Sequence, residues 1–266
     1  MTRYRAILAY DGTAYFGFQR QAGDIPTVQG AVEAAIVVIS GQTATVIGAG
    51  RTDRGVHAAG QVIAFDLKWN HDDDDLLRAL NANLSDDIAL QSVVQQPGFH
   101  PRFDALSRIY RYTVIQAAQR QPLLRQRTWW VRQTLDVDAM RAAAGMLVGE
   151  RDFAAFGSPP QGTNTVRTVQ GSEWTWQPAY DGMCLSYRVE ANAFLQHMVR
   201  RMVGLQVDVG RGVVDLAQFE DIVCSADISR VKTIAPPQGL VLEAVRYADR
   251  VERSTQPVDT SVTSGW

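Results

Sequence analysis

Hydrophobic and polar residues alternate in many short segments of the chain, the pattern that predicts β-strands. The first segment, residues 3–10 (RYRAILAY), is rich in β-branched and aromatic side chains and is followed by the turn pair Asp11-Gly12. Two later segments flank Asp181-Gly182 and predict a hairpin with that dipeptide at its turn. The hairpin segments are residues 165–177 and 182–192, and the other predicted strands are residues 43–48, 60–67, 88–96, 107–116 and 239–247.

Apolar residues recur at helical spacing in the stretches between these strands. Pro26 and Thr27 are typical of a helix entry, and an apolar stripe follows them through residue 39. The acidic block 72–75 precedes a second helix, and we expect it to cap that helix because negative charge is favoured there. A cation site is the weaker interpretation of the block. Further helices are predicted over residues 136–149, 194–210 and 215–225, the second of these beginning near Phe194.

The order of the elements predicts the fold class. Each half of the chain has strands and helices in roughly β-α-β-β-α-β order, which is the split βαβ pattern. We therefore predict an α+β protein with two related split-βαβ (ferredoxin-like) half-domains, whose antiparallel sheets form a central cleft. The predicted boundaries are residues 1–105 and 106–249. Residues 250–266 are polar and lack periodicity, so we expect a disordered tail.

Composition narrows the class of protein. The chain has 266 residues, of which 46% are hydrophobic, enough to bury a full core. Its two cysteines and four histidines show no metal-ligand spacing, and two thiols cannot build a disulfide framework. No uncharged apolar run reaches membrane-spanning length. These features predict a cytoplasmic protein with no structural metal site and no membrane association.

The charge distribution leaves two interpretations open. A net charge of −2 is unusual for a protein that binds nucleic acid. However, 24 of the 26 basic residues are arginines, because Lys68 and Lys232 are the two lysines. Arginine binds phosphate in a bidentate manner and stacks on bases. Seven arginines against one acid between residues 100 and 132 indicate either an RNA-binding surface or simply solvated faces: Arg102, Arg108, Arg111, Arg120, Arg125, Arg127 and Arg132.

One segment, residues 48–65 (GAGRTDRGVHAAGQVIAF), combines glycines with a carboxylate between two guanidinium groups. Glycine allows a sharp turn and a close approach by another molecule. We expect Arg51 and Arg54 to favour the ionised form of Asp53. An ionised, positioned carboxylate can serve as a nucleophile, a general base or a metal ligand. The alternative is an aspartate that caps its own turn, with both arginines in solvent.

Four segments carry a resemblance to a known family. YFGFQRQ, GRTDRGVHA, FHPRFDALSRIYRY and NAFLQHMVRRMVG occur in an order and spacing similar to those of the tRNA pseudouridine synthase A family, over residues 3–247. The resemblance implies that Asp53 is the catalytic nucleophile. The reaction breaks the N1–C1′ bond of uridine, rotates the base and rejoins it through C5. An anionic nucleophile can add to C6 or capture C1′, and the sequence does not choose between these routes.

Three further residues match motifs of that family. Tyr110 corresponds to a tyrosine that stacks on the target uracil, Arg200 to an arginine that pairs with the nucleophile, and Arg51 to a residue that enters the space left by the flipped base. Each has a structural alternative: a core aromatic for Tyr110, since it shares a strand face with Tyr112, and a solvated arginine for the other two.

The two nearby histidines, His57 and His197, are interpreted as structural or RNA-contacting groups. Four features depart from the family pattern, and they put details of the substrate contacts in doubt rather than the reaction. They are Arg54 where a small residue is more usual, GFQ at 17–19, Gln196 before His197, and LVL at 240–242.

The resemblance implies isomerisation of uridine in the anticodon stem-loop of tRNA, at positions 38, 39 and 40, by a homodimer that needs no cofactor. Two other functions are compatible with the residues. One is a tRNA-binding chaperone module without chemistry. The other is a small-molecule hydrolase that uses Asp53 and His57, although no nucleophile-elbow signature supports it.

Overall fold

The computed structural model describes residues 1–159, 162–248 and 250–253. Within these residues the helices are α1 Val28–Ser40, α2 Asp73–Asn81, α3 Val137–Gly145, α4 Met198–Gly210 and α5 Leu216–Cys224. The strands are β1 Thr2–Tyr10, β2 Ile47–Gly48, β3 His57–Leu67, β4 Ile88–Gln95, β5 Ala105–Gln116, β6 Trp129–Val131, β7 Gly149–Asp152, β8 Val166–Ala179, β9 Gly182–Ala191, β10 Leu240–Tyr247 and β11 Arg250–Arg253.

All of these strands belong to one sheet, with the order β4-β1-β3-β10-β5-β9-β8-β7. Strand β2 pairs with β3, β6 with β5 and β11 with β10. The pairing is antiparallel except between β10 and β3 and between β5 and β6. A large, mostly antiparallel sheet with five helices in the described residues confirms the predicted α+β class.

The two halves of the chain share this sheet, whereas the sequence pattern predicted separate sheets. Strand β10 lies between β3 and β5, where Val241 and Leu242 pair with His57 and Ala58. The approach is close: a Cβ atom on Gly60 would lie 2.5 Å from the carbonyl oxygen of Glu243. Glycine at this position of β3 therefore permits the strand contact that joins the halves.

The helix ends follow the capping rules. The side chain of Thr27 accepts a hydrogen bond from the Gly30 N–H, and Gly41 closes α1 in the left-handed conformation. Asp72 accepts a hydrogen bond from the Asp75 N–H at the start of α2, which confirms the capping interpretation of the acidic block.

Several predicted boundaries are wrong. The strand predicted over residues 43–48 is reduced to Ile47–Gly48, and the helix predicted over residues 136–149 ends at Gly145. Helix α4 begins at Met198 rather than near Phe194, because the preceding His197 has a left-handed backbone (φ 60°). The β8–β9 turn consists of Tyr180 and Asp181, since Ala179 already pairs with Gly182. Gly182 belongs to β9, where a Cβ atom would lie 1.9 Å from the carbonyl oxygen of Gln116. Glycine is therefore required here for the close approach to Gln116, and not for the conformation of the turn.

The predicted disordered tail is also partly wrong. Residues Arg250–Arg253 form β11 and pair with Ala244–Tyr247 of β10 in antiparallel register. A neighbouring strand can satisfy the backbone groups of a polar segment without any hydrophobic periodicity. The rest of the predicted tail, residues 254–266, lies outside the described residues.

Candidate active site

A cavity of about 1130 Å³ lies between segments from both halves of the chain. Its lining includes residues 16–19, 45–54 and 193–200, together with His100, Arg102 and Phe103. Among the described residues that line it, Asp53 is the one carboxylate. The lining also contains six arginines: Arg51, Arg54, Arg102, Arg108, Arg167 and Arg200. The cavity is thus strongly cationic around a single anionic side chain.

Asp53 lies in the loop between β2 and β3, and its partners come from the other half of the chain. Arg200, in the first turn of α4, places Nη1 3.1 Å from Oδ2 of Asp53. The Nε of Arg200 donates to the carbonyl of Ala235 at 2.8 Å, which fixes the guanidinium in place. The Asp53 side chain keeps 31% of its surface exposed, so a substrate can reach the paired carboxylate.

His197 also contacts Asp53, with Nε2 3.5 Å from Oδ2. Burial lowers the pKa of His197, Asp53 raises it, and the nearby charges of Arg200 and Arg201 lower it further, for a net decrease. The imidazole is therefore neutral at pH 7, since even its ordinary pKa is about 6.5. Arg200 is the permanent cation beside the carboxylate.

The two arginines that flank Asp53 in sequence have other positions. The guanidinium of Arg54 lies over the ring of Phe16 at 4.1 Å, a cation–π contact. Arg51 is exposed and lines the cavity. The expectation that this pair holds the carboxylate is therefore corrected: within the described residues Asp53 pairs with Arg200 of α4 and contacts His197, which directly precedes that helix. Successive residues of a turn point in different directions, which explains the difference.

Tyr110 is a core aromatic that also borders the cavity. It is 7% exposed and belongs to the core, yet it also lines the cavity. Its ring makes an edge contact with Phe194 at 5.1 Å. Burial raises the pKa of the phenol, and the charge of Asp53 contributes in the same direction. The phenol is therefore protonated, and it lies in the same cavity as the carboxylate.

The backbone around Asp53 is held by several side chains, of which the sequence had pointed only to Arg108, as one of seven clustered arginines. The Nε2 of Gln61 donates to the carbonyl of Gly50 at 2.8 Å, and the hydroxyls of Tyr10 and Thr52 lie 2.8 Å apart. Arg108 is 8% exposed and donates to the carbonyls of Ala49, Arg102, Ala105 and Asn192. Arg108 therefore joins the loop that carries Asp53 to the second half of the chain.

The seven arginines of residues 100–132 do not form one phosphate-binding surface. Arg102 and Arg108 line the cavity, but Arg108 is occupied by backbone carbonyls. Arg111 pairs with Glu243 on the sheet, Arg120 lies over Trp130, and Arg127 pairs with Asp11. Other cationic groups of the cavity, such as Arg51 and Arg167, come from outside that segment.

His57 is directed away from Asp53. Its Nδ1 accepts the Gly12 N–H at 3.1 Å, and its Nε2 lies 3.2 Å from the carbonyl of Gln238. Since an accepting nitrogen carries no proton, the proton belongs on Nε2. Asp11 and Arg127 complete the surroundings of Nδ1. The hydrolase hypothesis required His57 to act together with Asp53, and these contacts oppose it.

Comparison with known proteins gives the family of this chain. A family model described as "tRNA pseudouridine synthase" matches residues 6–104 and 143–248. The chain belongs to this family. It is 43% identical to tRNA pseudouridine synthase A of Chloroflexus aurantiacus, covering 94% of this chain and 91% of that protein. The relative of the same name from Pseudothermotoga lettingae is 41% identical, over 93% of this chain and 100% of that protein.

A third relative of that name, from Neisseria gonorrhoeae, is 38% identical over 92% of both chains. The family resemblance of the four sequence motifs is thereby confirmed, and the chain is a member of an enzyme family. Asp53 and Arg200 lie within the two segments that the family model matches, whereas Tyr110 lies in the stretch between these segments. The relatives nevertheless align over nearly the whole chain.

The described residues contain no group of three or more His, Cys, Asp or Glu side chains placed to hold a metal ion. No helix within them is long and apolar enough to cross a bilayer.

The environment of His57 predicts a dependence of stability on pH. Burial lowers the pKa of His57 and the charge of Arg127 adds to this, while Asp11 opposes it. The folded protein therefore binds this proton less readily than the unfolded chain. Above about pH 6.5 the imidazole is neutral in both states and does not reduce the free energy of unfolding. Below that pH the unfolded chain binds the proton first, so the free energy of unfolding decreases as the pH falls.

We expect the unfolding free energy of the wild type to decrease between pH 7 and pH 5, measured by urea denaturation. The His57→Gln variant should show a shallower decrease, since glutamine does not titrate. His71→Gln is the matched control, because His71 is exposed, and its pH profile should equal that of the wild type. Parallel profiles for the His57→Gln variant and the wild type would contradict the assignment.

Proposed function

We propose that this chain converts uridine to pseudouridine in the anticodon stem-loop of tRNA, at positions 38, 39 and 40. Asp53 is the nucleophile and acts on a base flipped out of the RNA. The observation that carries the proposal is the setting of Asp53. It is the one carboxylate among the described residues that line a cavity with six arginines, and Arg200 holds it from the other half of the chain.

The chemistry matches what the site offers. The N1–C1′ bond breaks, the base rotates and a C5–C1′ bond forms, after which the C5 proton is lost and N1 gains a proton. Nothing is oxidised or reduced in this balance. The carboxylate of Asp53 supplies the nucleophile, either at C6 of the ring or at C1′ of the ribose. The cationic lining attracts the phosphates that flank the target nucleotide.

The roles of the other residues follow from their positions. Tyr110 supplies an aromatic surface at the cavity for the uracil, and base–aromatic stacking is worth about 1–3 kcal/mol. Arg200 positions the nucleophile by its ion pair. Arg51, exposed at the cavity, is placed to enter the space that the flipped base leaves in the RNA. Extracting a base costs a few kcal/mol, which such contacts offset.

The competing function is a tRNA-binding module without chemistry. A binding surface needs cations and aromatic groups, which the cavity contains. It gains nothing from an anionic side chain, because a carboxylate repels the phosphates of RNA. The presence of Asp53 at the cavity, reachable and paired with Arg200, favours the enzyme.

Site mapping in unmodified tRNA transcripts tests the proposal. We expect pseudouridine at positions 38, 39 and 40 wherever the transcript has uridine there, and no conversion when the same position is cytidine. Uridines in the other arms of the same transcript serve as the internal control. Conversion confined to another arm would contradict the assigned substrate region, and no conversion at any uridine would contradict the function.

We infer further that the halves are two related split βαβ units. Strand order supports this inference. In the first half the order is β4-β1-β3-β2, and in the second half it is β10-β5-β9-β8. In both sets the fourth strand along the chain lies beside the first, followed by the third and the second. We also propose that the protein works as a homodimer in the cytoplasm, where its tRNA substrate occurs. The free thiols of Cys184 and Cys224 agree with a reducing compartment.

A further inference from the structure

The ring of Phe103 is 77% exposed at the edge of the cavity. Single exposed apolar residues are ordinary on protein surfaces, but this ring borders a cationic cavity and is stacked on a second ring. The ring of His100 stacks on it, with centroids 4.2 Å apart and planes inclined by 27°. His100 also lines the cavity. The two stacked rings thus present an aromatic surface at the edge of the cavity that contains Asp53.

The turn that carries this aromatic surface is anchored by hydrogen bonds. Nδ1 of His100 accepts the backbone N–H groups of Arg102 and Phe103, both at 3.2 Å. The carboxylate of Asp104 accepts the His100 N–H at 2.9 Å. From beneath, Tyr247 donates its hydroxyl to the carbonyl of Pro101 at 2.7 Å. Exposure of the Phe103 ring is therefore a fixed feature of an ordered turn.

We propose that Phe103, backed by His100, is a stacking surface for an unpaired base of the RNA substrate, one that is adjacent to the nucleotide held in the cavity. This inference rests on the proposed function. The target uracil itself belongs beside Tyr110, which is buried deeper in the same cavity. Arg102, exposed and next to Phe103 in sequence, is placed to bind the phosphate of the stacked nucleotide.

The chemistry of the surroundings selects a nucleobase as the partner. A strongly exposed ring beside a cavity with six arginines is suited to a flat, neutral group on an anionic backbone. An apolar protein surface would need a larger hydrophobic patch than one ring and a histidine provide. Stacking is tolerant of base identity, so the surface fits an enzyme that accepts several neighbouring sequences.

A thermodynamic cycle tests the contact without relying on catalysis. Dissociation constants are measured for an anticodon-arm RNA and for versions with an abasic site directly 5′ or 3′ of the target uridine, or in the stem. We expect Phe103→Ala to weaken binding of the intact RNA by about tenfold. One of the two RNAs with an abasic site next to the target uridine should bind the wild type and the Phe103→Ala variant with equal affinity. Removal of the base already abolishes the contact that the substitution removes.

Matched variants separate stacking from other effects. Phe103→Trp should restore tight binding of the intact RNA, since indole stacks on bases at least as well as phenyl. Leu123→Ala is the control, because Leu123 is 97% exposed and lies outside the cavity lining. It should bind every RNA as the wild type does.

Equal weakening of the intact RNA and of all abasic RNAs by Phe103→Ala would overturn the proposal, as would no weakening at all. Phe103→Leu keeps an apolar side chain and should behave like the alanine variant, because it lacks a π-face. A wild type that binds RNA through Phe103 but forms no pseudouridine would contradict the proposed function alone. The two failures are thus distinguishable.

Discussion

The Asp53→Asn variant is expected to lose pseudouridine formation by at least about 10³-fold in single-turnover rate, as happens when a nucleophile is removed. The amide is nearly the same size as the carboxylate, but it is neutral and a poor nucleophile. Asp53 also pairs with Arg200 at 3.1 Å, and this ion pair disappears with the charge. The rate is measured by mapping pseudouridine in tRNA at saturating enzyme.

Binding of tRNA by the same variant is the control. Affinity should be retained or slightly increased, because one negative charge leaves a cationic cavity. Circular dichroism should show an unchanged fold, since Asp53 is partly exposed in a loop. A variant that still forms pseudouridine at the wild-type rate would refute the role of Asp53. Unaltered cellular phenotype would instead favour the chaperone function.

Gly12→Ala is expected to destabilise the protein by about 3 kcal/mol, at the upper end of overpacking effects. A Cβ atom at this position would lie 2.0 Å from the carbonyl oxygen of Val56, so the backbone must move. The N–H of Val56 donates to the carbonyl of Asp53 at 3.1 Å, and displacement of Val56 is therefore transmitted to the catalytic turn. Urea denaturation measures the stability.

The same substitution should lower the single-turnover rate by roughly 10- to 100-fold, because misplacement of a catalytic group by about 1 Å has effects of this size. Gly145→Ala is the matched control: a Cβ atom there meets no other heavy atom within 4 Å. Its stability should stay within about 0.5 kcal/mol of the wild type. A Gly12→Ala variant with wild-type stability and rate would contradict the close packing behind the catalytic turn.

Hydrophobic periodicity was sufficient to predict the longer elements of the fold. Helix α1 and strands β1 and β9 bury mainly one face, so their apolar residues recur with the period of the structure. Strand β5 is buried on both faces and was predicted from its β-branched and aromatic residues. Strands β6 and β7, with three and four residues, are too short to show a period. The pattern could not predict the place of β10 between β3 and β5, because it contains no information on which strands pair.

Local backbone geometry was the other part that periodicity could not provide. The apolar spacing continues from Phe194 into α4, yet His197 interrupts the helix with a left-handed backbone. Phe194 instead packs against Tyr110. A histidine carries no sequence signal for this conformation, unlike the glycine that closes α1.

The candidate site was predicted in part. Motifs identified Asp53, Tyr110, Arg51 and Arg200, and all four line one cavity. Sequence proximity suggested the wrong partners for Asp53, since Arg54 turns to Phe16 while Arg200 reaches it from the other half of the chain. Arg108 was counted as a phosphate ligand, although it is buried on four carbonyl oxygens. Only the tertiary structure distinguishes an arginine in solvent from one in the interior.

The position of β10 has a consequence for the order in which the molecule can assemble. Strands β3 and β5 emerge from the ribosome long before the residues that will separate them, so each must wait with an unsatisfied edge. The two sides of the cavity cannot reach their final spacing until β10, Leu240–Tyr247, has paired with both β3 and β5. Nascent chains stalled ahead of this strand would carry Asp53 and Arg200 but no working enzyme.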